Sequence, residues 1–187
     1  MKKNKGFTLL ELLVVMVVLI STGIVIGGIL FSSLRGVTKT NTLTAVRENG
    51  DFAISQIVKM IRNAKEFKGV STDGETFFND CSVGGVPKYY HIKITSPDGG
   101  ETTFSCEFAT ISSKSASFSN ISLIDTRAVV VKQDSCFFTC SQESLTETPT
   151  IGIRFSLQQE ESINVFQGER TAAIDFQTSV TMRNALR

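Results

Sequence analysis

From Leu12 to Phe31 the chain runs for about twenty residues without a charge, and an α-helix of that length, at 1.5 Å per residue, matches the roughly 30 Å hydrocarbon thickness of a bilayer. The run is longer than the about 7–15 apolar residues of a cleavable secretory signal, so it reads as a spanning helix. Lys2, Lys3 and Lys5 precede it. Under the positive-inside bias they set the N-terminus in the cytoplasm and everything after residue 31 outside it. The first cysteine is Cys81, so no lipid-modified cysteine anchors this N-terminus.

Glu11 needs a separate explanation. A carboxylate at the membrane centre costs about 2.5–3.5 kcal/mol on insertion scales, and Glu11, at the cytoplasmic end of the run, escapes part of that cost by reaching interfacial water. One reading is therefore a snorkelling glutamate in a plain signal anchor. The other comes from the register: Gly6 precedes Phe7, and Glu11 is the fifth residue counted from Phe7. Cleavage between Gly6 and Phe7 creates an ammonium on Phe7, which a carboxylate at this depth neutralises; burial of the acid then has its partner.

The stretch KGFTLLELLVVMVVLI, Lys5 to Ile20, resembles the N-terminus of type IV prepilins and of the pseudopilins of type II secretion and competence systems. A short basic leader, glycine before phenylalanine, glutamate at the fifth place and a spanning apolar run coincide in it. The resemblance implies that a prepilin peptidase removes the leader, N-methylates Phe7, and leaves Glu11 to contact the Phe7 amine of a neighbouring subunit during assembly. It implies as partners that peptidase, other pilin or pseudopilin subunits, an inner-membrane assembly platform, and the membrane before assembly. The implied location is the cytoplasmic membrane, single-pass with a cytoplasmic N-terminus, followed by an extracytoplasmic filament. Many major pilins carry a helix-breaking proline in this region, whereas this chain has no proline before Pro87. Gly23 and Gly27 form a small-xxx-small pair, which is either ordinary membrane-helix composition or a point of local softening.

Beyond the apolar run the helical pattern continues. Ile54, Ile57, Val58 and Ile61, flanked by Val46, Gly50 and Ala64, recur at spacings of three and four, with charged residues largely between them. A helix from about Thr8 to Phe67, roughly 90 Å long, is expected, with bending at TKTNTLT (38–44) and at NGD (49–51), where glycine costs about 1 kcal/mol relative to alanine. KGVSTDG, from Lys68 to Gly74, reads as the turn that ends it.

A sheet domain follows. Tyr90, Ile92 and Ile94 alternate with polar residues, as do Phe104, Cys106 and Phe108. A loop of Asp98, Gly99 and Gly100 pairs Ile94 with Phe104 and Ile92 with Cys106. Ala128 to Val131 suggests a middle strand, and the organisation of the serine-rich stretch at 112–120 stays open. Two late strands alternate over Ile151–Leu157 and Ala172–Met182. One antiparallel sheet laid across residues 46–64 covers the amphipathic helix, an α+β arrangement. It is also the pilin fold that the resemblance implies.

Cys81, Cys106, Cys136 and Cys140 form an even set that an exported domain oxidises, and four cysteines allow three pairings. Zinc is the rival, with only CFFTC supplying a close pair. Loop closure favours Cys136–Cys140 and Cys81–Cys106, worth about 2 and 3.5 kcal/mol. His91, the single histidine, reads as a surface residue opposite Ile92. Serine–histidine–acid chemistry would have to run through it, there is no glycine-rich phosphate loop, and STDGE and SPDGGE read as turns rather than calcium loops. No catalytic, cofactor-binding or metal-ligating set is therefore expected. The net charge is +1 with three lysines in the first five residues, so the remainder is slightly acidic. No direct nucleic acid binding is expected of it.

The expected organisation is a cleaved leader (1–6), a transmembrane and filament-core half of the helix (7–31), its amphipathic half (32–68), and an extracytoplasmic sheet domain (69–187). The expected function is a structural subunit, a minor pilin or pseudopilin, of a type IV pilus-like or type II secretion-like filament. The competing reading is a single-pass anchored binding or sensor module whose N-terminus stays uncleaved.

Overall fold

The helical periodicity is realised in one long element, α1 (Leu9–Arg62), which continues without interruption through 38–44 and 49–51. The computed structural model describes residues 8–81, 88–107, 109–115, 118–144, 147–160 and 173–183, the side chains at 38, 39 and 118 excepted. By internal contacts the chain divides into residues 1–42 and residues 43–187, and α1 contributes to both units.

In the second unit one stripe of α1 is fully buried: Val46, Ala53, Ile57 and Ile61, with Ala64 just beyond the helix end, are each no more than 1% exposed. At about 1.5–3 kcal/mol for each fully buried aliphatic side chain, this stripe outweighs the weak helix propensity of the Asn49-Gly50-Asp51 stretch. The helix stops at Arg62 rather than at Phe67. Lys65 N–H donates to Thr95 O at 2.8 Å, which starts sheet pairing at once, and Arg183 N–H donates to Arg62 O at 3.1 Å, satisfying one of the carbonyls left free at the helix end.

The strands form two antiparallel sheets where the sequence suggested one. The first is a meander in the order β1 (Glu66–Ser71), β2 (His91–Thr95), β3 (Glu101–Glu107), β4 (Thr110–Ser115) and β5 (Phe118–Ser122). Thus KGVSTDG is not simply a turn, since its first four residues belong to β1; and the serine-rich stretch supplies β4 and β5. The second sheet is centred on β8 (Thr150–Gln159). β9 (Ile174–Thr181) lies along one edge of β8, and β7 (Phe137–Ser141) and β6 (Val129–Val131) share the other. Residues 128–131 do contribute a strand, though one of only three residues. Ala172 and Phe108 lie outside the described residues.

The β2–β3 register differs from expectation by two. Ile94 pairs with Thr102 and Ile92 with Phe104. Gly99 N–H donates to Ser96 O at 2.9 Å, and Ser96 N–H to Gly100 O at 2.8 Å. The loop is therefore Pro97-Asp98-Gly99, with proline at the second turn position and Gly99 at φ +88°. Moving the loop by one residue moves the pairing by two, so the apolar face is preserved. Ile92, Ile94, Phe104 and Ile111 from the first sheet join Phe138, Ile151, Ile153, Phe155 and Leu157 from the second in one core with the α1 stripe.

Two contacts lock α1 to the second sheet and its flank. The Phe176 ring stacks on Phe155 at 5.3 Å between centroids and fills the space above Gly50, where a Cβ would clash with the ring tip. Asn49 Oδ1 accepts the Asp125 N–H at 2.8 Å. After β1, residues 72–77 form a strap closed by paired backbone bonds between Val70 and Phe78, both 2.9 Å. Asp73 Oδ1 accepts from Ser71 Oγ at 2.6 Å and from the Glu75 and Thr76 amides at 3.0 Å. These bonds, Ser71's first, hold its carboxyl well below the usual carboxylate range.

Gly50→Ala is expected to cost about 1–3 kcal/mol by overpacking, read as a lowered midpoint in denaturant unfolding, and Phe176→Leu in the same chain should recover part of that loss. Because the Asp73 pKa is depressed, its contribution to strap order is present above the unfolded value of 3.8 and is lost as pH falls through the folded value. Amide exchange at Glu75 and Thr76 should stay protected from neutral pH to about pH 4 and rise in stronger acid; protection independent of pH, or lost already above pH 5, would count against this account.

Candidate assembly segment

The described residues of the first unit belong to α1 and its N-cap. Every large apolar side chain from Leu9 to Val37 is at least 50% exposed. The hydroxyls within this stretch are partly self-satisfied: Ser21 Oγ donates to Val18 O at 2.9 Å, and Thr22 Oγ1 sits 2.9 and 3.1 Å from the carbonyls of Val18 and Leu19. Such back-bonding lets a hydroxyl enter hydrocarbon without bringing water along. Charge returns only at Arg35, whose guanidinium lies 4.4 Å above the Phe31 ring. α1 is long and apolar enough to cross a membrane by length and composition.

At the start of the helix Thr8 is the N-cap. Its Oγ1 accepts the Glu11 N–H at 3.3 Å, so Glu11 is the third residue of the first turn. A carboxylate there is favoured by the partial positive charge of the free amides. The Thr-x-x-Glu spacing of a capping box is legible in the sequence at Thr8–Glu11, and reading Glu11 only against the membrane overlooked it. Gly6 and Phe7 lie outside the described residues.

The four cysteines all pair, and the connectivity corrects the expectation: Cys81 joins Cys140, and Cys106 joins Cys136. The Cα separations are 5.4 and 5.6 Å. Cys136–Cys140 is excluded by the extended backbone of β7, along which four residues span about 13 Å, beyond the roughly 7 Å that a disulfide tolerates. Cys81, beyond the strap, is tied to Cys140 in β7, and Cys106 in β3 to Cys136 just before β7, beside paired backbone bonds between Tyr89 and Phe138. By chain entropy alone they contribute about 4.3 and 3.7 kcal/mol.

His91 is also corrected. It is 7% exposed, beneath the strap, with Gly74 over its ring and Nε2 3.3 Å from Glu107 Oε1. It lies on the outer face of the sheet as expected, but the strap covers that part of the face. Among the described residues no group of histidine, cysteine, aspartate and glutamate side chains is arranged to hold a metal ion.

Residues 1–20 match the family model described as Prokaryotic N-terminal methylation motif. No curated protein and no solved structure matches the chain.

Peptide mapping under non-reducing conditions should recover Cys81 linked to Cys140 and Cys106 linked to Cys136. Replacing the Cys81–Cys140 pair by alanines should lower stability by about 2–5 kcal/mol, measured by denaturant unfolding without reductant.

Proposed function

We propose that the chain belongs to the type IV pilins and pseudopilins and is a minor pilin or pseudopilin of a type IV pilus-like or type II secretion-like filament, a reading supported by the match of residues 1–20 to the N-terminal methylation motif. Prepilin peptidase cleaves between Gly6 and Phe7 and methylates Phe7, so that residues 1–6 are the leader and 7–31 the membrane and filament-core half of the helix. The new Phe7 amine is then the cation that Glu11 of a neighbouring subunit meets.

The uncovered apolar surface from Leu9 to Val37 carries this reading. Each such side chain gains about 1.5–3 kcal/mol on leaving water, so the surface belongs first in lipid and then against the helices of other subunits. In lipid alone Glu11 stays at the interface; moved into a bundle of helices it loses that water, and an ammonium in the same layer offsets the loss. Thr8 is retained by the proposed cleavage, so the first turn of the mature chain keeps its cap.

The place of Glu11 in the first turn supports a second reading, an uncleaved single-pass anchor carrying a binding or sensor domain, because the free amides there favour a carboxylate without any neighbour. N-terminal sequencing and intact mass of the purified mature protein separate the two. Filament assembly requires N-methylated phenylalanine as the first residue; an intact Met1 would establish the anchor instead. Glu11→Val should leave cleavage unchanged and sharply reduce recovery of the subunit in sheared filaments, and normal recovery would remove the pairing role. Few copies per filament would mark a minor subunit, many a major one.

A further inference from the structure

The solvent face of the second sheet is ordered in a way that neither the core nor filament assembly requires. Directly paired residues on antiparallel strands share a face, and the β7–β8–β9 register therefore lays side chains out in rows. Ser141, Thr150 and Thr181 form one row; Thr139, Gly152 and Ser179 form the next. The third row is Phe137, Arg154 and Gln177. All of these but Thr181 line a shallow trough of about 600 Å³, with Thr139 leaning into the space that a side chain at Gly152 would take.

Arg154 is the single charged residue among those that line this trough. Arg154 is exposed and makes no ion pair among the described residues, and Lys88 Nζ lies 4.8 Å above the Phe137 ring at the same end. No acidic side chain occupies the three rows. The nearest in register, Asp175, is one row further on, opposite Ser156, and accepts the Ser156 hydroxyl.

The geometry points to this face as a binding surface for an acidic polysaccharide, a hydroxyl-rich chain bearing carboxylates, with one carboxylate held by the Arg154 guanidinium. A guanidinium fork matches a carboxylate in two parallel bonds, and the two hydroxyl rows with Gln177 offer donors and acceptors to sugar hydroxyls. Nucleic acid fits less well: duplex DNA carries one charge per about 1.7 Å of axis, and this trough is lined by a single cation. A protein interface fits less well too, because such interfaces centre on aromatic and apolar side chains. Here the one aromatic residue is overlain by Lys88. The inference goes beyond filament assembly and does not depend on it.

The test is isothermal titration of the full-length protein in detergent micelles against four polymers: polygalacturonate, dextran with hydroxyls and no charge, polyglutamate with carboxylates and no sugar hydroxyls, and a DNA duplex. Saturable binding of polygalacturonate, at least about tenfold tighter than any of the other three, is expected. Arg154→Gln, an exposed position whose exchange leaves the core untouched, should weaken polygalacturonate binding about tenfold or more. Lys114→Gln, on the other sheet, should leave it unchanged. Absence of saturable binding, an Arg154→Gln chain that binds as wild type, equal loss in Lys114→Gln, or equal or tighter binding of dextran, polyglutamate or DNA would each overturn the assignment.

Discussion

The sheet domain depends on one stripe of α1. Val46, Gly50, Ala53, Ile57 and Ile61 follow one another at spacings of four, three, four and four, the signature of a single helical face. Both sheets bury their apolar rows in the core that this face completes. Without it Ile92, Ile94, Phe104 and Phe155 would have no cover, and paired strands with an open apolar face are not stable in water. Gly50 is the point where the fit is tightest, because the absent side chain lets Phe176 reach the helix backbone while stacking on Phe155. A residue that costs helix propensity is thus kept for packing.

The same helix answers to a different solvent in its first unit, where no stripe exists and apolar side chains point in every direction. That difference is what the functional reading rests on. A face can be covered by one sheet, whereas an all-round apolar cylinder needs lipid or several other helices. The match of residues 1–20 to the methylation motif concerns this unit alone, and the sheet domain lies outside it.

What was legible in the sequence follows from range of interaction. The stripe at 46–64, the alternation at 151–157 and 174–182, and the basic leader with Gly6, Phe7 and Glu11 are short-range periodicities or spacings, and the α+β class could be read from them. The β2–β3 hairpin was readable to its face but not its register, because proline and glycine at 97, 99 and 100 permit two neighbouring turns that preserve the same alternation. β1 was hidden because Lys68-Gly69-Val70-Ser71 contains a glycine bulge and no alternation. The burial of His91 and the cysteine pairing depend on where a strap and a distant strand cross. Loop-closure entropy ranks pairings only when the chain between them is free, and β7, being extended, is not.

The two disulfides are nested, with Cys106–Cys136 inside the span closed by Cys81–Cys140. A protease cut at any bond between Cys81 and Cys140 therefore opens the polypeptide without separating it. The helix and strap on one side remain covalently tied to β7, β8 and β9 on the other. A chain nicked there, in the absence of reductant, stays whole as a molecule.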